Sequence, residues 1–446
     1  MSDGIDTVAV EEHRPPGPGR QEFVKAFRAN PLDTVLDLQK NYGDIVVYEM
    51  RRIPGYLLSH PDYVREVLVT QSGKFVKGFG LQDMRVVMGD GLVTSDGDFH
   101  RRQRRLAQPA MHHQRLLTYS EVMGEFSKRY WGRWQPGQTI EVDYEMTQLA
   151  MSVVAKTLFD IDLDEGEGKR VRDAAMTLSE GFNYFTLPSL QHRRQSAYDA
   201  AVDLNRLVYG FIEDHRSSGE DRGDLLSMLI MATDDEVAGD QMNDRQVRDE
   251  AVTILLTGHE TSAKALTWTW YLLSQHPEIE ARFHQEVDEV LEGRLPTHMD
   301  LPRLEYTRKV LTESMRVYPP VWLMDRVAVA DVQIGDYVIH PGSMVFVSQW
   351  VTHHDERWWP EPFRFDPDRW TPEAEDQRPK YAYFPFGGGP RLCYGEAFTW
   401  METMLALVTI AQRWKLRLVP DHPVEPQPRV TIRPKHGMMM TVEPRG

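Results

Sequence analysis

The chain of 446 residues carries 51 Lys plus Arg against 67 Asp plus Glu, a net charge of −16. That balance excludes nucleic-acid binding through a general basic surface. A single cysteine excludes an intramolecular disulfide and any multi-cysteine zinc or iron–sulfur site, while 41% hydrophobic and 10% aromatic residues supply a substantial core.

In chain order, residues 1–20 read as a flexible Pro/Gly-rich lead-in, and 21–446 as one domain. No apolar run has the length of a signal peptide or an uncharged membrane span, so the expected location is the cytoplasm. Residues 44–58 alternate β-rich pieces and predict a small sheet, with a short helix after Pro61. From about 96 to 320 the pattern is helical, with breaks at Pro136-Gly137, Leu187-Pro188-Ser189 and the acidic stretch 233–244. His100 and Arg104 stand at helical i,i+4 spacing and face one way. Arg101, Arg102 and Arg105, continued by His112, His113 and Arg115, make a basic run on an otherwise acidic chain. Asn243 caps a helix that reaches Gln275, about 45–50 Å at 1.5 Å per residue. Thr257-Gly258-His259-Glu260-Thr261 lies at its middle and predicts a local widening, because Gly and Thr both weaken the regular ladder. Glu313 and Arg316 form an i,i+3 pair before Tyr318-Pro319-Pro320 ends their helix. Short strands follow at 332–338 and 344–347, then a helix over 395–413 and closing strands. The fold class is mainly α with small β-sheets (α+β).

The cysteine stands in Phe386-Gly387-Gly388-Gly389-Pro390-Arg391-Leu392-Cys393-Tyr394-Gly395. It is a buried filler, a nucleophile or a single thiolate ligand. Consecutive glycines let backbone approach a flat object closely. A helix N-terminus at Cys393 favours the thiolate, which suits an axial haem ligand. Phe386-x-x-Gly389-x-Arg391-x-Cys393-x-Gly395 matches the haem-binding signature of the cytochrome P-450 superfamily at every fixed position, and the chain resembles the soluble prokaryotic members. Tyr394 departs from the small or aliphatic residue usual there.

The resemblance implies haem b between the long central helix and the cysteine-loop helix, with Cys393 as the iron's axial ligand and Phe386, Gly387 and Gly395 in its loop. It implies that Glu260 and Thr261 are the acid–alcohol pair that feeds protons to bound dioxygen. Thr257 replaces a smaller residue and should narrow the pocket or hydrogen-bond a substrate. His100, Arg104, Arg326 and Arg391 would hold the haem propionates. Glu313, Arg316 and Arg369 would form a structural network behind the cysteine loop. Met84, Val87, Phe182, Phe185, Val321 and Leu323 fall where the family's substrate pocket lies, which favours an apolar terpenoid, sterol-like or fatty-acyl substrate.

The implied reaction is monooxygenation, hydroxylation or epoxidation with O₂. NAD(P)H electrons would arrive through a reductase and a ferredoxin- or flavodoxin-like donor docked on the basic run, and the expected state is a monomer. A haem-thiolate peroxygenase or isomerase, a cysteine hydrolase and a non-catalytic haem sensor are the competing readings. The Glu260-Thr261 pair speaks against the first and the last.

Overall fold

The computed structural model describes residues 14–50, 53–111, 113–164, 166–186, 194–234, 236 and 239–445, with the side chains of 113, 114, 180–186 and 194 set aside. Helices build most of the mass around a continuous apolar cluster that draws side chains from Phe23 to Val442. A five-stranded sheet lies to one side over a second cluster. Its strands are β1 (Ile45–Met50), β2 (Ile53–Leu58), β3 (Phe75–Lys77), β4 (Met324–Ala328) and β5 (Met344–Val347), in the order β1-β2-β5-β4-β3. β2 and β5 run parallel and the other pairs antiparallel. Among the described residues no helix is long and apolar enough to cross a membrane.

The lead-in differs from the expected loose segment. Residues 1–13 lie outside the described ones, but Pro15 is buried and the Pro16 carbonyl accepts from the Val47 N–H at 3.0 Å. A Cβ on Gly17 would collide with the Val47 carbonyl. The outer edge of β1 needs a partner for its N–H, and this stretch supplies it.

The central helix, Asp244–Gln275, starts where Asn243 and Gln246 exchange side-chain-to-backbone hydrogen bonds at 3.0 Å each, a reciprocal capping box. It stops at His276, before Pro277. It packs most extensively on the helix Val142–Phe159, and Lys264 Nζ ties the two by donating to both Asp143 oxygens (2.7 and 2.8 Å). The expected widening at 257–261 is absent: the helix stays α through these residues. Thr257 and Thr261 donate their hydroxyls to the carbonyls four residues back, at 2.7 and 3.1 Å, without breaking the ladder.

Behind the cysteine loop, Glu313 on the helix Glu305–Val317 is fully buried. It accepts from Arg316 Nε and Nη2 (2.8 Å each), Arg369 Nε (3.2 Å), Trp370 Nε1 (2.9 Å) and the Asp366 N–H (3.1 Å). Arg316 spends its other donors on the carbonyls of His353, Pro362 and Arg364. His353 in turn accepts the Phe384 N–H at Nε2 (3.0 Å), and the Phe384 carbonyl takes the Gly387 N–H (2.9 Å). The network therefore ends on the cysteine loop's backbone. Arg316→Met leaves a buried carboxylate short of its main partner, which costs about 3–5 kcal/mol. The expected result is a lower urea midpoint together with faster loss of haem; an unchanged midpoint would show that Arg369 and Trp370 suffice.

Candidate functional site

Cys393 lies three residues before the helix Glu396–Ala411, which Gly395 opens. Its N–H donates to the Phe386 carbonyl at 2.9 Å, closing the loop on itself. Gly387 and Gly389 have φ of 75° and 67°, values a side chain resists. A Cβ on Gly389 would also strike the Leu68 carbonyl, so that glycine serves protein packing rather than approach to a flat group. Phe386 contacts the Trp400 ring at 5.9 Å between centroids. The Tyr394 hydroxyl donates to the Ala107 carbonyl at 2.5 Å, which turns the unusual residue away from the sulfur.

The thiol has accessible surface although protein closely surrounds it. Burial pushes it up to about 11, against the pull of the Gly395 N–H and the Arg104 charge. A metal ion coordinated at the sulfur would offset the burial cost and hold it as thiolate.

Beside the loop, cations gather. The register of β3 against β4 places Lys77 directly opposite Arg326, a like-charge cross-strand pair that is destabilising without a counter-charge. Lys77 is buried, and its Nζ donates to the Leu92 and Ser95 carbonyls at 2.5 and 2.6 Å. Burial is the main reason it falls to about 7. Burial also brings Arg326 down to about 10, with Arg391 adding to the fall. Arg391 donates to the Phe75 carbonyl and pairs with Asp96, both at 2.8 Å. Arg104 donates to the Leu392 carbonyl at 2.6 Å. His100, buried on the helix Gly97–Ala107, is pushed down to about 3 by burial and then by Lys77, Arg391, Arg104 and Arg326.

Three arginines among the four expected propionate partners thus gather around His100 together with Lys77, a residue that no local pattern announced. A single thiol near this cluster of cations is a donor set that fits haem: the sulfur would hold the iron, and the cations would pair with the two carboxylates.

Thr257, Glu260 and Thr261 share one stretch of the central helix. The Thr257 hydroxyl is engaged by the Thr253 carbonyl, so the residue contributes bulk rather than a free donor. Glu260 Oε1 accepts from Thr431 Oγ1 at 2.6 Å, a partner the sequence did not suggest. Of the expected pocket walls, Val321 and Leu323 are half-buried. Met84 and Val87 are buried in the main core, and Val87's carbonyl takes a hydrogen bond from Arg248 (2.8 Å), while their neighbour Val86 is 61% exposed. The side chains of Phe182 and Phe185 lie outside the described residues.

The basic run is largely matched within the chain. Arg101 pairs with Asp98, Arg102 with Asp240 (2.6 Å), Arg105 with Asp234 (2.7 Å) and Glu236 (2.9 Å), and Arg115 with Asp221. The acidic stretch 233–244 therefore covers part of the surface expected to be basic. His112 and the His113 side chain lie outside the described residues. A surface hollow beside Pro390 of the cysteine loop is still lined by Arg101, Arg104 and Arg105.

A family model described as Cytochrome P450 matches residues 15–442. Cyclooctatin synthase from Streptomyces melanosporofaciens is 39% identical, over 91% of this chain and 89% of its own. Cyclooctat-9-en-7-ol 5-monooxygenase from the same organism is also 39% identical, over 89% of this chain and 87% of its own. Among solved structures, the cytochrome P450DA heme domain superposes with a TM-score of 0.88 at 26% identity, covering 97% of this chain and 98% of that one.

One buried acid near the site is readable by pH. Glu402, on the helix after Cys393, is buried and faces Ser262, whose proton goes to the Gly258 carbonyl (3.3 Å) instead. Neither carboxyl oxygen has a hydrogen-bond partner among the described residues, and burial raises the acid from 4.5 to about 8. The folded protein therefore keeps a proton that the unfolded chain releases, and stability falls as pH rises from about 4.5 to about 8. Glu402→Gln removes this term, so its gain in stability should be larger at pH 7.5 than at pH 5 by roughly 3 kcal/mol. Urea midpoints at the two pH values check this, and an equal gain at both would mean that Glu402 is ionised in the folded state.

Proposed function

The chain belongs to the cytochrome P450 family, and from that premise we infer that its substrate is a terpenoid with few polar groups. The enzyme is a haem-thiolate monooxygenase that inserts one atom of O₂ into an apolar organic substrate, with electrons from a separate redox partner. Bound haem supplies reductive activation of O₂, and a cysteine thiolate donates electron density that favours O–O cleavage.

The cysteine loop near the cluster of cations carries the assignment of residues. Cys393 would hold the iron, and Lys77, His100, Arg104, Arg326 and Arg391 would hold the propionates. Glu260 and Thr261 would move protons. The Thr261 hydroxyl donates to the Thr257 carbonyl of its own helix, so one χ1 rotation frees it to donate elsewhere. Glu313, Arg316 and Arg369 keep the loop in place and take no part in chemistry. Residues 21–446 act as one catalytic domain.

The substrate class is supported by the relative that acts on cyclooctat-9-en-7-ol and by the apolar pair Val321 and Leu323. Thr257 adds bulk with its hydroxyl already engaged, which suits a substrate bound by shape. The electron donor is a ferredoxin- or flavodoxin-like protein served by its own reductase. Its acidic face would meet the arginine-lined hollow beside Pro390, where electrostatics speeds encounter. The enzyme works as a cytoplasmic monomer.

The test of substrate class is spectral titration of the holoenzyme. Cyclooctat-9-en-7-ol and related cyclic terpene alcohols should shift the haem toward high spin at micromolar concentration, whereas long-chain fatty acids should not. The opposite ranking would overturn the terpenoid reading. Thr261→Ala should consume NAD(P)H and O₂ at a rate that no longer tracks product, with hydrogen peroxide making up the difference. Tight coupling in that variant would remove Thr261 from the proton path.

A further inference from the structure

Glu260 receives its hydrogen bond from a residue near the end of the chain. Thr431 is 2% exposed and donates Oγ1 to Glu260 Oε1 at 2.6 Å, a short hydrogen bond. It lies at the tip of a hairpin between the strands Pro426–Pro428 and Ile432–Pro434. The tip is held from three directions. The Ile432 N–H donates to the Pro320 carbonyl (2.9 Å), Trp268 Nε1 to the Ile432 carbonyl (3.1 Å), and Trp322 Nε1 to the Arg429 carbonyl (2.8 Å). Within it, the Arg429 N–H donates to the Thr431 carbonyl at 3.0 Å.

Thr157, Thr403 and Thr409 donate to a carbonyl four residues back in their own helix, whereas Thr307, like Thr431, gives its proton to a carboxylate on another element, Glu286 Oε2 at 2.6 Å. Thr431 has no helix turn beneath it and gives its proton to a carboxylate on another element. Among the described residues, no protein donor reaches Glu260 Oε2. A glutamate has three rotatable bonds, and holding it in one rotamer carries an entropic cost. One short bond from a rigid donor is enough to hold it.

We propose that Thr431 is a positioning residue for oxygen chemistry. By binding Oε1 it fixes the Glu260 carboxylate and leaves Oε2 to hand on protons. The proposal rests on reading Glu260 as the acid of the proton path. In coupled turnover two electrons and two protons reduce one atom of O₂ to water, while the other atom enters a C–H bond of the substrate. When protons are misdelivered, two electrons and two protons convert O₂ to hydrogen peroxide, which leaves. Peroxide released per O₂ consumed therefore reports proton placement whether or not product forms.

The experiment measures that ratio for the holoenzyme with NADPH, a plant-type ferredoxin and its reductase, with and without cyclooctat-9-en-7-ol. The variants are Thr431→Val, Thr431→Ser, Glu260→Gln and the double Thr431→Val/Glu260→Gln, with melting temperatures for all. Thr431→Val should raise the peroxide ratio several-fold, Thr431→Ser should hold it within twofold of the parent, and the double variant should match Glu260→Gln alone. A crystal structure of Thr431→Val should show the Glu260 carboxylate moved from its place. If Thr431→Val keeps the parent ratio while Glu260→Gln raises it, Thr431 has no positioning role and the acid stands. If Glu260→Gln itself keeps the parent ratio, the acid reading fails and takes the proposal with it. Equal defects in Val and Ser with equally lowered melting temperatures would assign the effect to packing and overturn the proposal.

Discussion

The geometry at the cysteine depends on one carboxylate taken out of water. Glu313 is fully buried, and an ionised carboxyl in that position is tolerable only if its oxygens are saturated with donors. Saturating them draws in Arg316 from the same helix and Arg369, Trp370 and the Asp366 N–H from a distant segment. The guanidinium of Arg316 then needs acceptors, and it finds them in carbonyls at 353, 362 and 364. Buried ion pairs roughly break even against apolar replacements, so the network's contribution is geometric. It permits one arrangement of three segments, and His353 passes that arrangement to Phe384 and the loop.

A second constraint is an imbalance of charge. The chain is strongly acidic overall, yet Lys77, Arg104, Arg326 and Arg391 crowd around His100. Such a cluster in a low-dielectric interior is costly by itself, and a bound dianion relieves it. Whatever supplies that charge is linked to the stability of the fold by mass action. On the outside the logic is the reverse, since Arg102 and Arg105 of the helix Gly97–Ala107 are matched by Asp234 and Asp240 of the acidic stretch. Of the inward cations Arg391 pairs with Asp96, while Lys77 and Arg104 lean on backbone carbonyls.

The central helix shows how local preference loses to context. Gly258 and two threonines weaken a helix, but the ladder continues, because hydroxyls return to carbonyls four residues back and the whole helix is clamped by Asn243, Lys264 and Trp268. A Cβ on Gly258 would find only ordinary contact with Val154. The glycine leaves room there without bending the backbone.

What could be read from the chain alone was whatever lies within a few residues. The helix cap at Asn243, the i,i+3 pair of Glu313 and Arg316, the i,i+4 pair of His100 and Arg104 and the cysteine loop are all of that kind, since one turn of backbone fixes their mutual positions. The fold class followed from periodicity for the same reason. Lys77 acquires its meaning only from the register of β3 against β4, Thr431 only from a hairpin docked on the central helix, and Glu402 only from the apolar packing around it. The inward turn of Val87 and the pairing of the basic run with Asp234 and Asp240 likewise needed the folded chain. Each joins segments far apart in sequence, and such contacts are selected by burial and hydrogen-bond satisfaction over the whole molecule, which no local window contains.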